Sequence, residues 1–261
     1  MNVKGKAAIV TGSSSPEGIG GEAAKLLASR GCNVLVNYAG NAAGAEQVAA
    51  DCRAHGVKVV VVKGNVAEDA DCVNMVNEAV KAFGRLDILI NNAATTNPIK
   101  HKDLHLLDRA EFERVFAVNV IGNFQMCRAA APHLKAHGDG AIVNISSVGA
   151  FRAGGSSMAY CASKAALNNL TLSMARALAP EVRVNALCPG GLFGPWTNKI
   201  LSDEAYQARV EAAKKQFPLG KGLWPIDVAQ AALSVIEGFG TMTGEAIRMD
   251  AGQHLGGGSG T

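Results

Sequence analysis

The chain has 261 residues, a formal net charge of +3, 48% hydrophobic and 18% charged residues, 30 glycines and 5% aromatics, a length and composition suited to one large domain of helices packed closely on a sheet. The charge is spread without a basic run or interleaved aromatics, which excludes the electrostatic footprint of a nucleic-acid binder. No apolar run approaches bilayer-spanning length and the N-terminus shows no signal-peptide layout, so no membrane partner and a cytoplasmic location are expected.

Apolar, nearly continuous strand patterns recur at 7–11, 33–37, 57–63, 86–90, 141–145 and 183–187. Alanine-rich helical stretches at 20–29, 42–55, 68–83 and 110–135 alternate with them. That alternation predicts an α/β fold, a doubly wound parallel sheet of the Rossmann type with helices on both faces. Residues 189–223 break the rhythm with proline, glycine, aromatics and one amphipathic segment at 203–216, and are expected to form a small substrate lid. A helix at 225–237 and a strand at 246–250 complete the sheet, followed by a glycine-rich tail. No linker or repeat interrupts this, so residues 1–261 are read as one dinucleotide-binding and catalytic domain.

The first strand leads into Thr11-Gly12-Ser13-Ser14-Ser15-Pro16-Glu17-Gly18-Ile19-Gly20, which opens the first helix. Glycines there allow close approach of a pyrophosphate, and unpaired amides at a helix start attract negative charge. After the second strand comes Asn37-Tyr38-Ala39-Gly40-Asn41, with no acidic residue to bind a ribose diol or to repel a 2'-phosphate.

Further along, the strand pattern at 141–145 ends in the hydroxyls of Ser146 and Ser147. Tyr160 and Lys164 follow, four positions apart and so on one helical face. A free tyrosine has a pKa of about 10. A neighbouring ammonium favours its phenolate, so the pair is expected to move a proton while a serine hydroxyl grips a substrate oxygen. The six cysteines, at 32, 52, 72, 127, 161 and 188, have neither pairing nor metal-ligand spacing, and no metal site is expected.

Taken together, these residues resemble the short-chain dehydrogenase/reductase family, over nearly the whole chain. Its opening Thr-Gly-x-x-x-Gly-x-Gly is matched by Thr11, Gly12, Gly18 and Gly20 with two extra residues, and its Asn-Asn-Ala-Gly by Asn91-Asn92-Ala93-Ala94. Its helix asparagine is matched by Asn119, its catalytic serine, tyrosine and lysine by Ser147, Tyr160 and Lys164, and its Pro-Gly turn by Pro189-Gly190. Thr243-Gly244 and Asp250-Ala251-Gly252 match its C-terminal pattern. Asn65 stands in place of a common aspartate, Ala94 in place of a glycine, and Glu17 adds a negative charge to the phosphate loop.

The resemblance implies hydride transfer between NADP(H) or NAD(H) and a small carbonyl or secondary alcohol, with NADP(H) favoured by the neutral segment at Asn37. It implies that Ser147 holds the substrate oxygen, Tyr160 passes the proton, Lys164 tunes Tyr160 and binds ribose, and Asn119 orders a water. Gly12, Ser14, Gly18, Ile19, Gly20, Asn37, Tyr38, Asn65, Val66, Asn92, Ala93, Ala94, Pro189 and Gly190, with Tyr160 and Lys164, are the expected cofactor contacts. A pocket lined by 95–98, 148–155 and 191–196 would mix Phe151, Phe193 and Trp196 with the hydroxyl of Ser156. The resemblance also implies a homotetramer. Two functions stay open: a carbonyl reductase or alcohol dehydrogenase, with 3-oxoacyl-thioester reduction as its specific version, and a catalytically silent dinucleotide-binding regulator.

Overall fold

Successive residues of an inner parallel strand point to opposite faces, so a strand apolar throughout feeds two cores at once. In the computed structural model, which describes residues 1–194 and 202–256, the strands are β1 (Ala7–Val10), β2 (Asn33–Tyr38), β3 (Val59–Lys63), β4 (Ile88–Asn91), β5 (Gly140–Ile145), β6 (Val182–Pro189) and β7 (Ala246–Met249). They form one sheet in the order β3-β2-β1-β4-β5-β6-β7, every pair parallel. Ala8, Val10, Val34, Val36, Ile88 and Ile90 face the layer containing α1 (Ile19–Ser29), α2 (Ala42–Arg53) and α8 (Pro225–Gly238). Their neighbours Ile9, Leu35, Leu89 and Ile142 face the layer of α3 (Asp69–Phe83), α5 (Asn123–Lys135) and α6 (Met158–Leu178).

This is the doubly wound architecture expected from the sequence. The chain runs outward from β1 to β3, returns to β4 beside β1, and runs outward again, so the order reverses between β1 and β4. Ligands of such sheets bind outside the carboxyl ends of the strands at that reversal.

One long element differs from expectation. Residues 110–135 are not a single α-helix: α4 (Arg109–Phe116) passes through a π-helical turn, Ala117–Gly122, before α5 begins. The wider turn accommodates a close approach, since a Cβ on Gly122 would lie 2.8 Å from the Val66 carbonyl oxygen. It also leaves Asn119 fully buried instead of on a solvated helix face.

The region expected as a lid has its own small core, in which Phe193, Tyr206, Ala213 and Phe217 pack with Ala251. The Phe193 and Tyr206 rings meet edge to face at 6.2 Å. α7 (Asp203–Gln216) starts where the Ser202 side chain accepts a hydrogen bond from Ala205 N at 3.3 Å. The expected lid and pocket residues at 195–201, Trp196 among them, and the tail at 257–261 lie outside the described residues.

At the amino edge of the sheet, far from the reversal, Asp87 accepts hydrogen bonds from Arg85 at 2.7 and 2.8 Å and from Ala7 N at 2.9 Å. Burial pushes its carboxyl up, but those bonds and the charges of Arg85 and Lys6 outweigh it and hold the group below the usual carboxylate range. Asp87→Ala leaves the cations and the first β1 amide without their acceptor. We expect a loss of about 3–5 kcal/mol, read from the denaturant midpoint at neutral pH. The stabilisation is present above the unfolded carboxylate pKa of about 4 and is lost as pH falls through the depressed folded value. The gap between the two proteins should therefore close only in strong acid.

Candidate active site

Ser157 sets the start of α6: its hydroxyl accepts a hydrogen bond from Tyr160 N at 3.1 Å, which fixes the helical phase of the two residues that matter. Lys164 is 2% exposed and its Nζ lies 5.5 Å from the Tyr160 ring centroid. That ammonium donates to the Ile145 carbonyl at 2.7 Å, tying α6 to the end of β5. Two residues beyond Ile145, Ser147 hydrogen-bonds the phenol of Tyr160 while accepting from Gly149 N at 3.1 Å. The three residues singled out from sequence thus converge at the carboxyl edge of the sheet.

The electrostatics reverse one expectation. Burial pushes the Tyr160 phenol up to about 12, against a smaller opposite effect of the Ser147 hydrogen bond, and burial pulls the Lys164 ammonium down to about 8. Both groups lose water, and neither the one Lys164 bond to Ile145 nor a charge 5.5 Å from the Tyr160 ring returns what each loses. In the protein alone Tyr160 is therefore a protonated donor at neutral pH rather than an acidified phenol.

Asn119 reaches the site indirectly. Its Oδ1 accepts from Thr95 N at 2.8 Å, and its Nδ2 donates to Thr95 O and to Ser163 Oγ, both at 3.0 Å. Its backbone carbonyl accepts from Asn123 Nδ2 at 2.9 Å. These bonds clamp the segment after β4 onto α6, and Ser163 in turn donates to the Tyr160 carbonyl at 2.7 Å.

At the nucleotide end, the Gly12 to Gly20 loop bridges β1 and α1. Gly12 has φ +60°, and a Cβ there would meet Ala93 Cα at 2.8 Å. The start of α1 at Gly18 has no side-chain cap, so its first-turn amides face the strand ends without a protein acceptor from a side chain. Several expected cofactor residues also hold this loop in shape. Asn37 is buried; its Oδ1 accepts from Gly12 N at 2.9 Å, and its Nδ2 donates to Gly64 O at 3.0 Å. Asn92 Nδ2 donates to the carbonyls of Thr11 and Gly12 at 3.0 and 2.9 Å. The Val66 side chain lies in the core and its carbonyl accepts from Gln125 at 2.8 Å. Ser14, Ile19, Tyr38, Asn65 and Ala94 keep some exposure along the same edge. Pro189 ends β6, with Gly190 N bonded to Met249 O at 2.6 Å.

A family model described as Enoyl-(Acyl carrier protein) reductase matches residues 12–254. Ketoacyl reductase 2 of the granaticin polyketide synthase in Streptomyces violaceoruber is 38% identical over 248 residues, 95% of this chain and 96% of that one. The 3-oxoacyl-(acyl-carrier-protein) reductase FabG of Staphylococcus aureus is 34% identical over 252 residues, 96% and 98% of the two chains. A crystal structure from Burkholderia xenovorans, described as a short-chain dehydrogenase/reductase, superposes with a TM-score of 0.87 at 37% identity, covering 96% and 98% of the two chains. The chain belongs to the short-chain dehydrogenase/reductase family.

This short-chain dehydrogenase/reductase is therefore an oxidoreductase of an NAD(P)-dependent family acting on small molecules. The residues present fit a dinucleotide: an uncapped helix start, a loop in which Gly12 and Gly20 leave no room for a Cβ, and a neutral, solvent-facing segment at Ala39 to Asn41 follow the carboxyl ends of the neighbouring strands β1 and β2. Among the described residues no cluster could hold a metal ion and no helix is long and apolar enough to cross a membrane.

Sequence reasoning missed the supporting shell. Thr11 Oγ1 accepts from both Asn92 N and Ala93 N at 3.0 Å, locking the two loops together. Cys188 lies close enough to Lys164 and Tyr160 for its thiol to act on both. The Ser157 cap was legible as a serine three positions before Tyr160; nothing in the sequence marks Cys188. Of the expected pocket residues, Thr96 and Ser156 do meet, at 2.7 Å between hydroxyls, whereas Phe193 is buried in the lid core rather than lining a pocket.

Proposed function

We propose that the protein reduces a small carbonyl compound with NADPH, with Tyr160 as proton donor. The observation that carries this is the Tyr160 phenol, hydrogen-bonded to Ser147 and protonated at neutral pH, with the buried Lys164 ammonium 5.5 Å from its ring. The bound dinucleotide supplies the hydride. Ser147 donates a hydrogen bond to the substrate oxygen and stabilises the negative charge that grows there. Tyr160 gives that oxygen its proton, so the carbonyl gains a hydride on carbon and a proton on oxygen and becomes an alcohol. Lys164 keeps a positive charge beside the phenol as its proton leaves, and Asn119 holds the Thr95 segment and α6 in register around the site.

The neutral edge at Asn37 to Asn41 supports NADP(H) over NAD(H), as does Lys63, an exposed cation and the register partner of Tyr38. The ketoacyl and 3-oxoacyl-(acyl-carrier-protein) reductases among its relatives support a 3-oxoacyl thioester as the substrate. Assembly as a homotetramer belongs to the same reading, supported by Ile121 and Leu172, apolar side chains 50% and 54% exposed on adjoining helices. The test is turnover followed by nicotinamide absorbance, with NADPH or NADH against a panel of ketones and acetoacetyl thioesters. We expect NADPH oxidation with the thioesters at a kcat/KM at least about tenfold above that with NADH, one decade being about 1.4 kcal/mol of discrimination. Cofactor binding without turnover of any compound would favour the silent regulator.

A further inference from the structure

A cavity of about 380 Å³ opens beside the end of β7, outside the group formed by Ser147, Tyr160 and Lys164. Leu219, Leu223 and Met249 give it an apolar wall, and Lys221 and Arg248 bring two cations to it. Neither cation has a carboxylate partner among the described residues, and both are exposed.

The two carboxylates at the same cavity are already engaged. Asp250 accepts from Gly252 N at 3.1 Å, from His254 N at 3.0 Å and from His254 Nδ1 at 2.9 Å. Asp227 accepts from Trp224 N at 2.7 Å, capping α8. Lys221 and Arg248 thus line the opening without a carboxylate partner, while Asp227 is engaged by a backbone amide and Asp250 by backbone amides and His254.

Position ties the cavity to the reaction. Arg248 is the register partner of Cys188 across the β6–β7 pair, and Cys188 lies against Lys164 and Tyr160. Paired residues on neighbouring strands lie about 5 Å apart and share a face. Arg248 is also stacked over the Phe151 ring, its guanidinium carbon 4.3 Å from the centroid. Phe151 ends the short 3-10 turn that Ser147 begins. Stacking fixes the plane of a guanidinium and leaves its N–H groups pointing outward, the arrangement that receives two oxygens of one anion. A neighbouring arginine, Arg152, donates to Gln253 at 2.9 Å and joins that turn to the C-terminal segment.

From this we propose that the cavity between Lys221 and Arg248 is an anion subsite that holds a phosphate or carboxylate on the part of the substrate distal to the reacting carbonyl. This rests on the reading of Ser147, Tyr160 and Lys164 as the reacting centre. Small neutral ketones then react without the subsite, and substrates bearing a terminal anion bind more tightly through it.

The experiment compares three acetoacetyl thioesters: one on pantetheine, one on 4'-phosphopantetheine, and one on an arm of matching length ending in a carboxylate. For the wild-type enzyme, KM should fall at least about tenfold from the neutral arm to whichever anion the subsite takes, and the gap should shrink as salt is raised. In the double variant Arg248→Ala/Lys221→Ala that preference should vanish, with kcat and the neutral KM unchanged. The better of the two charged arms identifies the anion. Equal KM values for all three arms in the wild type, or a preference that survives in the double variant, would overturn the subsite. Failure to reduce any of the three would instead refute the proposed reaction. Calorimetric binding of the free phosphorylated and carboxylated arms to both proteins would then decide the subsite by itself, binding to the wild type alone upholding it and equal or absent binding rejecting it.

Discussion

Tyr160→Phe is expected to lower kcat by about 10²–10⁴-fold, the usual contribution of a positioned proton donor, while NADPH affinity measured by calorimetry stays unchanged. The ring remains, held by the Ser157 cap beneath it and by Lys164 beside it, so the variant keeps the shape of the site and loses one hydroxyl. Ser147 retains its bond from Gly149 N and can still orient a substrate oxygen. The split between intact binding and lost turnover separates proton transfer from architecture. Turnover close to wild type would remove Tyr160 from the mechanism.

Lys164→Met should abolish most turnover and, at neutral pH, raise the thermal midpoint. Burial pulls Lys164 from an ordinary 10.5 to about 8, so its positive charge below pH 8 costs folding free energy that an unbranched apolar side chain of similar length does not. The sign follows from proton counting. Between pH 8 and 10.5 the unfolded chain binds more protons at this residue than the folded one, so the variant's advantage over the wild type should shrink across that window. Above pH 10 the raised Tyr160 pKa acts in the opposite sense, because the folded protein holds a phenolic proton that the unfolded chain has released, and stability should fall towards pH 12. Denaturant titrations at several pH values test this: the gap between the two proteins should close between pH 8 and 10.5, while both lose stability towards pH 12 as the unfolded chain releases the protons that the buried thiols and Tyr160 retain. A lower midpoint at pH 7 would mean that the Lys164 bond to Ile145 outweighs the cost of its burial. In the wild type, carbonyl reduction should also slow as pH passes about 8, where Lys164 loses its proton.

Much of the fold was legible because strands buried on both faces admit few residue types. The patterns at 33–37 and 141–145 became β2 and β5, with ends displaced by no more than one residue. The interruption at Ala117–Gly122 was not legible, because a helical pattern of alanine, valine and asparagine reads alike with or without a wider turn; the decisive contact, Gly122 against Val66, joins residues far apart in sequence. The site divides in the same way. Tyr160 and Lys164 could be paired from helical spacing alone, yet the partners that orient them, Ile145 and Ser147, come from a different strand end.

By itself, then, the sequence determined the two-faced strands, the uncapped glycine turn before α1 and the shared helical face of Tyr160 and Lys164, all consequences of residue size and local periodicity. Only the tertiary structure decided that Asn37 and Asn92 brace the glycine loop through backbone bonds, that Arg248 lies one strand from Cys188 beside Lys164 and Tyr160, and that burial pushes the Tyr160 phenol up. Those outcomes depend on which groups lose water and on which atoms meet across the sheet, and neither is set until distant segments pack.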